Sequence, residues 1–222
     1  GVVYKDSVYT GAGILLEIEG SVTDTARTIT LTADGPNRHH GVSGAGVVVD
    51  NAANLTRALV IGDQHVTVEW LEVRNGGGSG AHCIDYVPSN AANQSAIRNN
   101  LVRNCAGQGI RVTGSSTVFR ADITNNIVYR GAREGIAVDS PLGTGTGSLV
   151  RILNNTLFRN SGSTEISTAE RPNPYVVLRN NIVVDDTEAP DLTWNSAALC
   201  TSATNCDWGN AAKMKLVTNL VL

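Results

Sequence analysis

Apolar residues recur along the middle of the chain in a fixed relation to pairs of polar residues. Five segments share the pattern: "VTVEWLEVRN" (66–75), "SAIRNNLVRN" (95–104), "ADITNNIVYR" (121–130), "VRILNNTLFR" (150–159) and "VVLRNNIVVD" (176–185). One apolar position aligns as Val68, Ile97, Ile123, Ile152 and Leu178, so successive repeats lie 29, 26, 29 and 26 residues apart. A second apolar position follows five residues later, at Val73, Val102, Val128, Leu157 and Val183. A period of this length indicates a solenoid, a propeller or another repeat array.

The repeats predict short β-strands. Asn, Gly or Ser interrupts each β-branched run before it reaches helical length. Propeller blades need about 40 residues, and leucine-rich repeats need a leucine spacing that is absent here. A coil of short parallel strands, one turn per repeat, fits the spacing. The segments "QGIRV" (108–112) and "EGIAV" (134–138) supply a third strand in two of the coils.

The asparagine pairs predict the bends between strands. Asn tolerates the left-handed backbone conformation that a sharp corner requires. Stacked Asn side chains can also bond to the amides above and below them. We therefore expect a buried structural ladder that joins successive coils through the first asparagine of each pair, at Asn99, Asn125, Asn154 and Asn180.

The repeated "NNxV" followed by "GI" resembles the right-handed parallel β-helix repeat of pectate-lyase-like and related secreted proteins. The resemblance covers roughly residues 45–185 and implies an all-β solenoid with about 26–29 residues per coil. The stretch "GSVTDTARTITLTADGPNRHHG" (20–41) resembles the opening coils of large bacterial β-helix proteins. We expect one domain over 1–222, with opening coils in 1–44, regular repeats in 45–185 and a C-terminal loop and strand in 186–222.

The amino-acid composition restricts the kinds of binding partner that we expect. Charged residues make up 17% of the 222 residues, the net charge is −3 and basic runs are absent, so we expect no nucleic-acid partner. No apolar stretch approaches the roughly 18 residues of a membrane span. The chain starts at Gly1 without a signal-peptide pattern, which fits either a processed mature chain or a fragment. The resemblance implies a secreted or cell-surface location.

The four cysteines fall into two pairs. Cys200 and Cys206 bracket a polar loop, and we expect them to form a local disulfide because secreted proteins favour oxidised pairs. Cys83 and Cys105 lie near strand ends in neighbouring coils, where they could pair or simply pack. Neither pair has the ligand spacing of a zinc site.

Few residues are candidates for chemistry. Lyases of this fold use carboxylates that hold calcium and a basic residue that takes a proton, whereas hydrolases cluster two or three aspartates. The catalytic candidates here are Asp85, Glu134, Asp139, His39 and His40. No spacing forces them together, so we expect no catalytic constellation. Asp185, Asp186 and Glu188 are candidate ligands of calcium, the one cofactor left open, but they lack the regular spacing of a calcium loop, which favours a solvated turn.

Strand alternation predicts an apolar stripe on the outside of the coils. Its members are Leu101, Ile127, Tyr129, Phe158 and Ile182. An exposed apolar patch marks an interface, unless a loop of the same chain covers it. The final run "KLVTNLVL" (215–222) lacks a polar cap, so we expect it to add to another subunit in a head-to-tail or strand-exchanged fibre.

The sequence therefore favours an extracellular structural or adhesive module that self-associates or binds another extracellular protein. The alternatives are a polysaccharide lyase or hydrolase, supported by fold analogy, and a carbohydrate-binding module. A binding module of this last kind would use exposed aromatic residues, and the three tryptophans, Trp70, Trp194 and Trp208, are scattered along the chain.

Overall fold

The strands of this chain stack in parallel, one coil above another. A computed structural model describes residues 1–11, 13–52, 56–77, 82–88, 93–114, 118–139, 148–161, 165–168 and 175–184, and the backbone of strands at 192–194, 214–217 and 220–221. Within these residues the regular elements are β-strands, apart from one short 3-10 helix at Gly35–Asn37.

The strands form three parallel sheets. Sheet A contains β1 (Val2–Val3), β3 (Ile29–Ala33), β6 (Val66–Glu69), β9 (Asn93–Arg98), β12 (Phe119–Thr124), β15 (Leu149–Leu153), β18 (Tyr175–Arg179) and β21 (Met214–Val217). Sheet B contains β4 (Val48–Asp50), β7 (Glu72–Arg74), β10 (Leu101–Arg103), β13 (Ile127–Tyr129), β16 (Thr156–Phe158), β19 (Ile182–Val184) and β22 (Leu220–Val221). Sheet C contains β2 (Leu16–Ile18), β5 (Leu59–Ile61), β8 (Ile84–Tyr86), β11 (Ile110–Val112), β14 (Ile136–Val138), β17 (Ile166–Thr168) and β20 (Leu192–Trp194). From β3 to β20, six successive coils each give one strand to every sheet, so the predicted parallel β-solenoid is confirmed.

The aligned apolar positions form vertical columns in the core. Val68, Ile97, Ile123, Ile152 and Leu178 are register partners in sheet A, and all are buried. Val73, Val102, Val128, Leu157 and Val183 are register partners in sheet B and are buried as well. The glycine before the sheet C isoleucine has a steric reason, because a Cβ at Gly109 would lie 2.5 Å from Val128 Cγ1.

The asparagine ladder exists, but the second residue of each pair builds it. Asn126 accepts hydrogen bonds at Oδ1 from the backbone N–H and side-chain amide of Asn100, at 3.0 and 3.1 Å. Its own amide donates to Ile97 O at 2.9 Å and to Asn155 Oδ1 at 3.1 Å. The same pattern links the buried residues Asn100, Asn126, Asn155 and Asn181.

The predicted ladder residues, Asn99, Asn125, Asn154 and Asn180, are wrong by one position. Their φ angles are 56, 56, 56 and 54°, so they occupy the left-handed corner itself. Asn125 and its equivalents at 154 and 180 are exposed, and Asn99 is half-buried. The corner residue turns its side chain outward, and the next residue points into the stack.

A second left-handed corner follows strands β7, β10, β13 and β16 of sheet B, and the sequence did not predict it. Asn75, Asn104, Arg130 and Arg159 have φ angles of 58, 54, 54 and 57° there. Asn160, which follows one of these corners, accepts a bond from Gly131 N at 2.8 Å and donates to Val128 O at 3.1 Å. Asn160 thus bonds the second bend to the preceding coil, as Asn126 does at the first bend.

Residues 38–46, the covering segment, lie across the outer face of sheet B. Gly44 N and the Ser43 hydroxyl donate to the wholly buried carboxylate of Glu72, at 2.5 and 3.1 Å. His39 Nε2 bonds to Asn99 O at 2.8 Å. Leu101 lies between Glu72 and Ile127 in its column and is 1% exposed.

The apolar stripe is therefore shorter than predicted. Leu101 is buried, so here the chain covers its own surface, which is the alternative to an interface that the sequence left open. Ile127 is partly buried. Tyr129 and Phe158 stack with ring centroids 4.7 Å apart and remain partly exposed, while Ile182 is 40% exposed. The remaining exposed part of the stripe runs from Tyr129 to Ile182.

The C-terminal strands continue the chain's own solenoid. Strand β21 pairs in parallel with β18, and β22 pairs in parallel with β19. The prediction that this run leaves its own coil to add to another subunit is therefore wrong for the paired residues.

The ladder makes a prediction about stability. Replacing Asn126 with Leu keeps the side chain's approximate volume but leaves buried groups of the neighbouring coils unbonded, including the Asn100 N–H. We expect a loss of about 2–4 kcal/mol in the free energy of unfolding, measured by reversible denaturant melts. Asn125→Gly is the matched control, since Gly accepts the corner conformation. Equal stability of the two variants would contradict a ladder at the second position.

Candidate functional site

Polar side chains collect on the outer face of sheet C. Backbone bonds from Ala58 N to His82 O, from Cys83 N to Gln108 O and from Gly109 N to Glu134 O place Arg57, His82, Gln108 and Glu134 in one vertical column. Asp85 and Arg111 are register partners in the adjacent strands β8 and β11. Parallel strands lie about 4.8 Å apart, so these groups are near neighbours.

Asp85 is the most buried acid of this face, at 1% exposure. Arg57 Nη1 donates to its Oδ2 at 3.0 Å, and Arg111 Nη1 lies 4.0 Å from the same oxygen. Arg111 also donates from Nε to Asp139 Oδ2 at 3.1 Å. Burial raises the pKa of Asp85, and the two arginines partly oppose that shift. Arg111 thus brings Asp85 and Asp139 into one network, which their sequence spacing did not predict.

His82 is a neutral hydrogen-bond donor in this arrangement. The backbone N–H of Gln108 donates to His82 Nδ1 at 3.2 Å, so the proton of the neutral ring lies on Nε2. Burial, together with the charges of Arg111, Arg57 and Arg133, lowers its pKa to about 4. His82 therefore offers an N–H and cannot accept a proton at Nε2 without changing tautomer.

Several buried polar atoms of this face have no hydrogen-bond partner. They are His82 Nε2, Asp85 Oδ1, Gln108 Oε1 and Glu134 Oε2. Buried polar groups are nearly always bonded in folded proteins, and each exception costs stability. The exceptions here are one donor and three acceptors in adjacent coils, and a polar ligand could bond to them only after the side chains that cover them move.

The three-sheet solenoid and its stacked asparagines agree with a comparison against protein families. The model described as "right handed beta helix region" matches residues 28–207, which is most of the chain. The chain belongs to the right-handed β-helix family. Neither the search of curated proteins nor the search of solved structures found a significant match. The family membership establishes a β-helix module and leaves its ligand open.

The other histidine candidates lie elsewhere on the β-helix. His39 belongs to the covering segment on sheet B, and its Nδ1 accepts from Gly41 N at 2.9 Å. Burial lowers its pKa. His40 is exposed and has a φ of 48°. The structure therefore brings together Asp85, Asp139 and the column that contains Glu134, but it separates both histidines from them.

Cys83 and Cys105 form a disulfide between neighbouring coils, with Cα atoms 5.7 Å apart. It lies beside His82 in the core, so it fixes the strand that carries the polar cluster. The sequence left open whether these two cysteines pair or only pack, and the structure shows that they pair. Cys200 and Cys206, the predicted pair, lie outside the described residues.

The calcium candidates Asp185, Asp186 and Glu188 also lie outside the described residues. Within the ranges that the structure covers, no group of three or more His, Cys, Asp or Glu side chains is arranged to hold a metal. In the same ranges, no helix has the length and apolar character needed to cross a membrane.

Sequence reasoning missed Arg57, His82, Gln108 and Arg111. A signal for two of them was present, since His82 and Gln108, like the predicted Glu134, each stand two residues before the isoleucine of a sheet C strand. The column is visible in the sequence when the residue two positions before each sheet C isoleucine is compared from coil to coil.

The state of His82 can be tested by NMR. Because the folded pKa lies below the usual value of about 6.5, protonation opposes folding. His82 therefore does not reduce the free energy of unfolding above about pH 6.5. As the pH falls from there towards 4, the free energy of unfolding decreases, because the unfolded chain binds the proton first. We expect the ring nitrogens to show the neutral Nε2–H tautomer at pH 6. The resonance is assigned by its absence in His82→Asn, and half-protonation near pH 6.5 would contradict the buried donor.

Proposed function

We propose that this β-helix is a carbohydrate-active module that binds a polysaccharide along the outer face of sheet C. The observation that carries the proposal is the set of unpartnered buried atoms at His82, Asp85, Gln108 and Glu134. Donors and acceptors in adjacent coils suit a ligand that repeats its hydroxyl groups along the solenoid axis. Fold analogy with pectate-lyase-like proteins favours the same ligand class.

Asp85 is the group that we assign to proton transfer. Its pKa is raised by burial, and a carboxyl with a raised pKa can exchange a proton nearer to neutral pH. Oδ2 is held by Arg57, and Oδ1 is buried without a partner, so a ligand reaches Oδ1 only when the side chains above it move. In that opened arrangement the Nε2–H of His82 would donate to a sugar oxygen, and Arg111 would offset the charge of a uronate carboxylate.

The module is proposed to work outside the cytoplasm. The Cys83–Cys105 disulfide supports this location, because such bonds form and persist in oxidising compartments. The long solenoid surface is compatible with a cell-surface or secreted protein that meets extended glycans.

The test uses the full chain and a panel of uronic-acid and neutral polysaccharides, with and without calcium. Eliminative cleavage is followed by the absorbance of unsaturated uronates, and hydrolysis by new reducing ends. We expect Asp85→Asn to lower cleavage by about 100-fold or more. Asp6→Asn, which changes an exposed carboxylate in the N-terminal segment, is the control. Cleavage that survives in Asp85→Asn would remove the proton-transfer role, and binding without cleavage would reduce the proposal to a carbohydrate-binding module.

A second candidate is the structural or adhesive module that the sequence favours. It rests on the exposed part of the apolar stripe, where Tyr129 stacks on Phe158 beside the exposed Ile182. We propose that a second copy of the chain covers this surface. The interface would lie on sheet B, away from the polar cluster, so both functions can coexist.

Self-association has a direct measurement in sedimentation velocity. We expect the wild-type chain to associate as its concentration rises, and the Tyr129→Ser/Ile182→Ser variant to remain monomeric because it loses apolar contact area. Val22→Ser changes an apolar residue that is 80% exposed on another part of the chain and serves as the control. A wild-type chain that stays monomeric throughout would reject this candidate.

A further inference from the structure

A groove crosses the outer face of sheet A, on a different side of the solenoid from the polar cluster. It consists of two adjoining cavities of about 310 and 290 Å³, which share Thr25, His65 and Gln94 in their linings. The first cavity also contacts Thr28, Thr67, Ala96 and Asp122, and the second contacts Arg120. Nothing in the sheet C site contributes to it.

The floor of the groove follows from strand register. Gln94 pairs with Arg120, and Ala96 pairs with Thr67 on one side and Asp122 on the other. Side chains of alternate residues point outward from a strand. Ala96 is the smallest member of its row, so its neighbours on either side leave a depression. The floor is thus lined by an amide, a guanidinium, an imidazole and hydroxyl groups.

The wall of the groove is a loop that is held in place before any ligand binds. The carboxylate of Asp63 accepts bonds from Gly20 N and Ser21 N at 2.9 and 3.0 Å. Thr23 and Gln64 exchange two bonds, of 2.6 and 2.8 Å, between side chain and backbone. A ligand that meets such a wall does not have to order it, which lowers the cost of binding.

The groove contains positive charge that no ion pair among the described residues neutralises. Asp122 is engaged by the guanidinium of Arg151, and Asp24 in the wall is paired with Arg27. Because each of these acids is already paired with an arginine, it is a poor partner for another cation. Among the described residues, Arg120 has no ion-pair partner, and its side chain is exposed. The groove therefore selects a ligand with an anionic group next to several hydroxyls.

We propose that this groove binds a uronic-acid oligosaccharide, with its carboxylate on Arg120 and its hydroxyls on Thr25, Thr28 and Gln94. The lining has hydroxyl and amide groups but no exposed large apolar side chain, which favours a saccharide over a peptide. A polysaccharide held on sheet A would keep this module on its substrate or its surface while sheet C remains free.

The experiment is an ¹H–¹⁵N NMR titration of the full chain with trigalacturonate, cellotriose and triglutamate. We expect trigalacturonate to shift the amides of residues 65–67, 94–96 and 120–122, and the other two probes to leave them unchanged. Arg120→Gln should weaken binding by about tenfold or more, because it removes a bond to a charged group. Ala96→Leu should abolish binding by filling the depression, and the spectrum itself shows whether that variant is folded.

Two further variants separate this groove from the sheet C site. Arg179→Gln alters an exposed arginine elsewhere on sheet A and should bind as the wild type does. Asp85→Asn should also retain the shifts at residues 94–96. Trigalacturonate binding that is lost in Asp85→Asn and kept in Arg120→Gln would overturn the groove. Equal shifts with triglutamate would overturn the assignment to a saccharide, and no shifts at these residues would overturn the site.

Discussion

The fold depends on how each coil turns its corner without leaving backbone groups unbonded. A left-handed residue, Asn125 in one coil, bends the chain sharply. Its own N–H still bonds to Leu153 O, but the N–H of Asn126 bonds to a side chain, the Oδ1 of Asn155, at 2.9 Å. The Asn126 amide in turn bonds to the Asn100 N–H and the Ile97 carbonyl of the preceding coil and to the Asn155 side chain of the following coil. A corner therefore becomes stable only when another corner stacks on it, which fixes both the register and the spacing of the coils.

Fixed register turns each face of the solenoid into a grid of side chains, and the three faces differ in how their charges are compensated. On sheet A, Arg98 bonds to Glu69 at 2.7 Å one coil away. On sheet B, the buried carboxylate of Glu72 receives bonds from the covering segment and from Arg103 at 2.8 Å. On sheet C, Asp85 keeps one oxygen without a partner. The carboxylates of Glu69 and Glu72 are thus compensated, whereas that of Asp85 is compensated at only one oxygen.

The repeat was predictable because burial imposes a pattern on the sequence that the spacing reveals. Val68, Ile97 and their equivalents had to be apolar, and their steps gave the strand register directly. The ladder was misplaced by one residue because both members of an Asn-Asn pair suit a corner, and only the direction of the side chain separates them. The burial of Leu101 could not be read locally, since the segment that covers it lies some 60 residues earlier in the chain. The polar cluster was missed for a related reason: Asp85 and Asp139 meet through Arg111, and no short motif contains all three.

Glu72 and Asp85 differ in whether both oxygens of a buried carboxylate are bonded. Both are buried, and both lie on an outer face beside arginines. Glu72 uses both oxygens, and the chain places a backbone N–H and a hydroxyl against it, as expected where burial serves stability. Asp85 has the same cost of desolvation but no hydrogen bond at Oδ1. The neighbouring His82 Nε2 and Gln108 Oε1 also lack a hydrogen-bond partner. Sequences violate local satisfaction mainly at functional sites, and for this reason we propose a ligand at the polar cluster of sheet C in addition to the one proposed for the groove on sheet A.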